Sequence, residues 1–277
     1  MRCLSAQAPA FLAPLLCWLL LTCTPAGAAD TLKIETRTDV EATAERVRAR
    51  VVIANGGTAP AYNLRVHLTA LGVSDASPVV SRLDPGRMEG VSFKRDIRGM
   101  PTGRYPMTVR VDFHDANQYP FSALSGMTVD VGEPVNPDLA VLSRDLELQG
   151  SGILRFDLKN LGLAPARITA TLILPKELSS PAAEKGFEMG PRSEGSIGFE
   201  VRNFSALPGA SYPVFSYFEY DSEGVHHTAL GRSLITIAPD DTLFRRFRWA
   251  WIALAGILGA LLILVLLRGR RQKAVGP

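Results

Sequence analysis

Carboxylate and imidazole side chains collect at two places in this chain, and oxygen ligands crowded on one loop are what a hard cation such as calcium takes. The first cluster is Asp112, His114, Asp115 and Asn117. The second, Glu219, Asp221, Ser222 and Glu223, falls in the same relative place about 105 residues later. Asp112, His114, Asp115, Asp221 and Glu223 are therefore the candidate metal ligands. Against that reading, neither cluster has the spacing of an EF-hand loop, and Asp, Asn, Ser and Gly are also the ordinary residues of tight turns. Asp221-Ser222-Glu223-Gly224 reads well as such a turn. The expectation is two hairpin tips and no resident metal or other cofactor. His226-His227 is the one adjacent histidine pair, and neighbours on a strand point to opposite faces, so the two cannot chelate a single ion together.

Nucleophilic chemistry has less to build on. A serine nucleophile needs a base and an orienting acid within reach. The sequence holds no G-x-S-x-G elbow, no H-E-x-x-H pair and no Gly-rich phosphate loop. Ser125 and Ser196 lie beside strand-like runs and read as bends. With four histidines in the chain and its three cysteines (Cys3, Cys17 and Cys23) near the N-terminus, a zinc site is not expected either. The chain reads as a protein that is not an enzyme. Its densest aromatic group offers a surface for a partner instead: Tyr212, Tyr217, Phe218 and Tyr220 are the candidates, with Phe215 among them. Alternation along a strand puts Phe218 and Tyr220 on one face and Phe215 and Tyr217 on the other, so half belong to a core. The remaining face meets either a partner or a second sheet.

The elements that must position these residues are written twice. Asn55-Gly56-Gly57-Thr58-Ala59-Pro60-Ala61 returns as Asn160-Leu161-Gly162-Leu163-Ala164-Pro165-Ala166. Leu83-Asp84-Pro85-Gly86 is echoed by Met189-Gly190-Pro191, and Gly103-Arg104-Tyr105-Pro106 by Ala210-Ser211-Tyr212-Pro213, with offsets held between 104 and 107. A fixed period of this size means two tandem copies of one domain. Asn55, Gly57, Pro60 and their counterparts Asn160, Gly162, Pro165 read as structural turn residues. Glycine would supply a positive φ, asparagine would bond nearby main chain, and proline would open the next strand.

Apolar and polar residues alternate along Leu64–Leu68, Tyr105–Phe113, Ile168–Leu174 and Tyr212–Tyr220, the signature of half-buried strands. About seven short strands per copy, and no amphipathic helix, make the fold class all-β: two tandem immunoglobulin-like antiparallel β-sandwiches. They occupy residues 30–133 and 138–239, with a proline-rich linker at 134–137 that favours an extended, fairly stiff connector. The Cys…Trp…Cys pin of antibody domains is absent.

Both ends lie outside these repeats. Residues 1–29 combine a basic start, a short apolar core and a small-residue exit, the pattern of a secretory signal peptide cleaved after Ala28 or Ala29. A lipoprotein signal ending at Cys23 competes, although Thr22 fits poorly before a modified cysteine. At the other end a juxtamembrane segment, 240–248, leads to the 19 uncharged residues 249–267, enough for a transmembrane helix. Trp249 and Trp251 would sit in the aromatic belt. Arg268, Arg270, Arg271 and Lys273, in the tail 268–277, would stay cytoplasmic. Ala255 and Gly259 have the small-x-x-x-small spacing that allows a homodimer. Between Asp30 and Asp241 stand 22 basic and all 27 acidic residues, a net charge of −5, so the folded part lacks the basic footprint of a nucleic-acid binder.

The N-x-G-x-A-P-A turns, the Pro-Gly turns before a strand with Phe93 or Phe199, the Tyr105 and Tyr212 strands, and the opening Pro137-Asp138-Leu139-Ala140-Val141 together resemble CARDB-type domains. These are immunoglobulin-like bacterial and archaeal modules related to cell adhesion. The resemblance covers residues 31–237 and implies an envelope-exposed binding or spacer module without catalysis of its own. The expectation is a single-pass protein of the inner membrane, held in its lipid by the C-terminal helix, with the repeats in the periplasm or outside. Its partner would be a membrane or periplasmic protein; the alternative is a surface adhesin or polysaccharide-binding protein.

Overall fold

The computed structural model describes residues 31–43, 45–239 and 247–273, with helix side chains described from 249 to 263. The signal peptide expected at 1–29, most of the 240–248 segment, and the side chains of Arg268, Arg270, Arg271 and Lys273 lie outside the described residues.

The first repeat forms β1 (Ile34–Ala42), β2 (Arg46–Asn55), β3 (Ala61–Ala70), β4 (Val73–Ala76), β5 (Val80–Leu83), β6 (Met88–Asp96), β7 (Gly103–His114) and β8 (Pro120–Val131). The second forms β9 (Leu139–Ser143), β10 (Leu146–Leu148), β11 (Ser151–Asn160), β12 (Ala166–Ile173), β13 (Leu178–Ser179), β14 (Glu184–Met189), β15 (Glu194–Asn203), β16 (Ser211–Ser222) and β17 (Val225–Ile237). One helix, α1 (Arg248–Lys273), follows. By internal contacts the chain divides into two compact units. One runs up to Gly99 and adds Val109–Ala123; the other takes Met100–Thr108 and the chain from Leu124 onward. The division passes through β7 and β8.

In the first unit β2 lies between β1 and β6, antiparallel to both. Val47, Ala49, Val51 and Ile53 are buried, while Arg46, Arg48 and Arg50 between them are exposed, so the period-two pattern seats one face in a core and wets the other. β3 carries β4 and β5 and turns Leu64, Val66 and Leu68 inward.

The second unit packs two sheets on one core. Strands β13-β15-β11-β9 form one sheet, and β14-β12-β16-β17, with β10 parallel to β17, form the other. Phe156 of β11 meets Phe199 and Phe218 edge-on, with ring centroids 6.2 and 5.6 Å away. All three rings are fully buried, worth about 1.5–3 kcal/mol each in removed apolar surface. The repeats share their registers: Ile34 faces Asn55 as Leu139 faces Asn160, and Ala61 faces Leu83 as Ala166 faces Met189. They differ in the first strand. β1 follows β2 over its full length, whereas β9 leaves β11 after Ser143 and the chain crosses to pair β10 with β17. Ser143 Oγ accepts from Arg232 N (3.0 Å) and Asp145 Oδ1 from Leu234 N (2.8 Å), so side chains bridge the crossing.

Along α1 the large apolar side chains from Trp249 to Ile263 are exposed on every side. Among the described residues, no helix is long and apolar enough to cross a membrane.

Candidate functional site

The repeated turn is built around a buried asparagine. Asn55 and Asn160 are 1% and 3% exposed. The Asn55 amide donates to Ala59 O (2.8 Å) and Leu83 O (2.9 Å), and its Oδ1 accepts from Gly57 N (3.0 Å). The Asn160 amide donates to Ala164 O (3.0 Å) and Gly190 O (2.9 Å), and its Oδ1 accepts from Gly162 N (2.9 Å). One side chain thus ties the N-x-G-x-A-P-A turn to the turn at Leu83–Gly86 in the first copy and at Met189–Pro191 in the second, the two landmarks that recur together in the sequence. Pro60 and Pro165 stand just before β3 and β12, where a missing N–H costs no ladder bond.

The glycines of this turn are there for a different reason than a positive φ. Neither Gly57 nor Gly162 is among the positive-φ residues. A Cβ on Gly57 would come within 2.2 Å of Thr31 O and 2.8 Å of Lys33 N, because the entry segment crosses over the turn: Gly56 N donates to Lys33 O, and Thr58 N to Thr31 O. Gly162 has a looser neighbour, Asn160 Oδ1 at 3.1 Å. Close backbone approach, tight in the first copy and mild in the second, sets the residue type.

Functional groups converge most at the β16–β17 hairpin. Asp221 lies opposite His226 in the register, and Asp221 Oδ1 is 2.8 Å from His226 Nδ1, while Glu219 Oε1 is 3.2 Å from Nε2. An ionised carboxylate only accepts and a neutral imidazole has one N–H, so both contacts are hydrogen bonds only when the three groups together hold one further proton. Burial pushes the Glu219 carboxyl above its ordinary value, against the opposing pull of His226. The His226 ring stacks on Tyr105 at 4.5 Å, and its backbone bridges Gly103, where a Cβ would meet His226 O at 2.5 Å. His227 points to the other face, stacks on Tyr220 at 4.9 Å, and burial lowers its pKa. The two histidines are apart, as adjacent strand residues must be.

The candidate metal ligands are spread over two units and engaged locally. Asp112 takes His67 Nε2 and Arg110 Nε, each at 3.1 Å. Asp115 Oδ1 accepts from Asn117 N and Tyr119 N (both 2.8 Å), closing its own turn. Asp221 is on His226, Glu223 holds a turn at φ 53°, and buried His114 Nδ1 has no hydrogen-bond partner among the described residues. Among the described residues, no group of three His, Cys, Asp or Glu side chains could hold a metal ion.

The aromatic candidates need correction. Tyr212, Tyr217, Phe218 and Tyr220 are all buried, as is Phe215, so they present no surface to a partner. Phe218 and Tyr220 lie in the sandwich core. Of the two alternatives for the opposite face of β16, a partner or further protein, the second holds: Tyr217 donates to Met107 O (2.5 Å) and lies 3.0 Å from Thr108 Oγ1. Burial raises its phenol pKa. The other two hydroxyls fix loops, with Tyr220 accepting from Asp138 N (2.7 Å) and Tyr212 from Leu207 N (3.0 Å).

Hollows among the described residues of the second unit include two beside these groups. One, of about 430 Å³, lies between the Asn160 turn and the hairpin tip, lined by Asp138, Leu161, Leu163, Asp221 and Glu223. The other, of about 600 Å³, is an open groove on the β9–β11–β15 face with Leu142, Asp157, Lys159 and Glu194 along it.

No family model matches this sequence, and no curated protein does. Solved structures similar to it include Escherichia coli alpha-2-macroglobulin activated by porcine elastase, at 13% identity and a TM-score of 0.29 over 77% of this chain and 22% of that one. Salmonella alpha-2-macroglobulin reacted with methylamine gives 10% identity and 0.30 over 75% and 16%. Red sea bream transglutaminase gives 10% and 0.25 over 77% and 32%. The chain spans less than a third of the length of these structures, and likeness at this level says nothing of what it does.

Proposed function

We propose that this chain is a non-catalytic, membrane-anchored protein of the cell envelope whose two immunoglobulin-like, CARDB-resembling repeats bind or scaffold another envelope component. The observation that carries the reading is α1. Trp249, Trp251, Ile252, Leu254, Ile257, Leu258, Leu261 and Leu262 are exposed around its whole circumference, and a helix apolar on all sides needs lipid or protein to cover it. The sequence continues uncharged to Leu267 before Arg268, Arg270, Arg271 and Lys273, the pattern of a span that ends in a basic cytoplasmic tail. The leader at 1–29 would carry the repeats across the inner membrane into the periplasm.

The prominent polar and aromatic groups of the repeats are already spent inside them, on turns, loops and the hairpin bridge. Sheet faces, strand edges and exposed loop side chains such as Phe204 and Leu163 are what the repeats have left to offer a partner. Burial of the β16 aromatics removes the exposed platform on which a polysaccharide-binding reading would draw, which favours a protein partner. Cross-linking in cells, followed by detergent purification and mass spectrometry, tests this on the full chain and on a chain lacking 242–277. The expected result is a stoichiometric envelope protein bound to the full chain and lost or reduced without the anchor. Recovery of no protein partner would overturn the reading and turn the search to polysaccharides.

A further inference from the structure

We propose that the tip of the second repeat at which β17 ends rests on the lipid surface, with Phe204 and Leu207 as its interfacial side chains; the proposal depends on the membrane anchor described above. Backbone bonds place the parts at one end. Ile237 N donates to Ala210 O and Gly209 N to Ile237 O, each 2.9 Å, and Ala238 N donates to Leu148 O at 3.0 Å. Asn203, the last residue of β15, donates to Gly150 O at 2.7 Å, and Phe204 N and Ser205 N both donate to Glu177 O, at 2.9 and 3.0 Å. The loop from 203 to 210 and the point at which the chain leaves the sandwich are therefore neighbours. From Ala238 the ten residues 238–247 lead to α1, a reach of at most about 35 Å when fully extended.

This loop is held firmly while it presents apolar side chains to the outside. Asn203 clasps Ala206 from both sides, with Ala206 N donating to Oδ1 (2.8 Å) and Nδ2 donating to Ala206 O (3.2 Å), and the Tyr212 hydroxyl holds Leu207 N. Ala206 is buried, yet Phe204 is 79% and Leu207 43% exposed. Residues 203–210 carry no charge, and Glu177 beneath them is 2% exposed. The opposite end of the same sandwich also exposes Leu161 and Leu163, but sets them beside Asp138, Asp221 and Glu223. An uncharged loop with an outward aromatic ring and an outward leucine suits the boundary between headgroups and acyl chains, and an acidic end does not. The chain runs from this end toward its apolar helix, so lipid is the surface within its reach.

The test uses the full chain with Cys3, Cys17 and Cys23 replaced by serine and a single new cysteine at Phe204→Cys or, as the distal control, at Leu163→Cys, which is 81% exposed. Each is nitroxide-labelled and reconstituted into phosphatidylethanolamine–phosphatidylglycerol vesicles. Spin relaxation by oxygen and by a water-soluble nickel chelate then reports depth. The label at 204 is expected to be roughly threefold less accessible to nickel than the label at 163, and more accessible to oxygen, as for side chains at the acyl boundary. Equal nickel accessibility in protein that floats with the vesicles overturns the tip contact while leaving the anchor standing. Protein that does not float with the vesicles overturns the anchor and this proposal with it.

Discussion

Replacing Asn160 with alanine removes three hydrogen bonds at one stroke, to Ala164 O, Gly190 O and Gly162 N, of which Gly190 O keeps a second donor in Ser193 Oγ (2.7 Å). Each such bond is worth a net 0.5–1.5 kcal/mol or so, so the loss of three should reach about 2–4 kcal/mol. Asn55→Ala should cost its own repeat a similar amount, because its three bonds have the same partners by position, with the Pro-Gly turn contact one residue earlier. Asn160→Asp is a sharper variant: it keeps an acceptor for Gly162 N but has no amide to donate to the two carbonyls, so it should be no milder than alanine. Urea unfolding of residues 31–239, followed by circular dichroism and tyrosine fluorescence, reads the effect. With a slope of about 2 kcal/mol/M, the transition of the altered repeat should move down by about 1–2 M with the slope itself unchanged. Shifts under about 0.2 M in both repeats would refute the argument that these side chains pin the turns.

Gly57→Ala should destabilise its repeat clearly more than Gly162→Ala, since the added Cβ meets backbone at 2.2 Å in the first case and a side-chain oxygen at 3.1 Å in the second; equal thermal shifts would contradict the close-approach explanation. Burial lifts the Glu219 carboxyl above its ordinary value of 4.5, so folding takes up a proton in the interval just above that pH, and stability falls as pH rises through it. Glu219→Gln is therefore expected to melt higher than the parent at pH 7 and to lose that slope, and a lower melting temperature with the slope intact would count against it. Leu258→Arg puts a charge into the apolar run of α1 and should release much of the protein from membranes on fractionation; unchanged retention argues against a single span.

Much of the architecture was readable because it is local. Alternation along β2 and β12, and the paired landmarks about 105 residues apart, depend on neighbours in the chain and on a repeated design, and the strands and shared registers follow them. What stayed hidden depends on distant partners. The role of Gly57 is set by Thr31 and Lys33, which lie outside any turn pattern. Tyr217 is buried against Met107 and Thr108, over a hundred residues upstream, and alternation cannot say which sheet face will be covered. Asp221 and His226 were both singled out as separate features, and only hairpin pairing sets them opposite each other. The crossing of the first strand from β11 to β17 hinges on Ser143 and Asp145, two side chains with no distinctive spacing. The structure shows how the acidic loops, tyrosines and turn asparagines are used within the repeats.

That residues 249–267 hold the repeats on the outer side of a membrane is tested most directly by protease accessibility in intact spheroplasts producing the full chain with a C-terminal tag. Protease added outside should digest the repeats and leave a short tagged fragment that is protected and stays with the membrane through alkaline extraction. A chain left whole until the cells are lysed, or a tagged fragment washed off by alkali, would contradict the anchored-ectodomain reading.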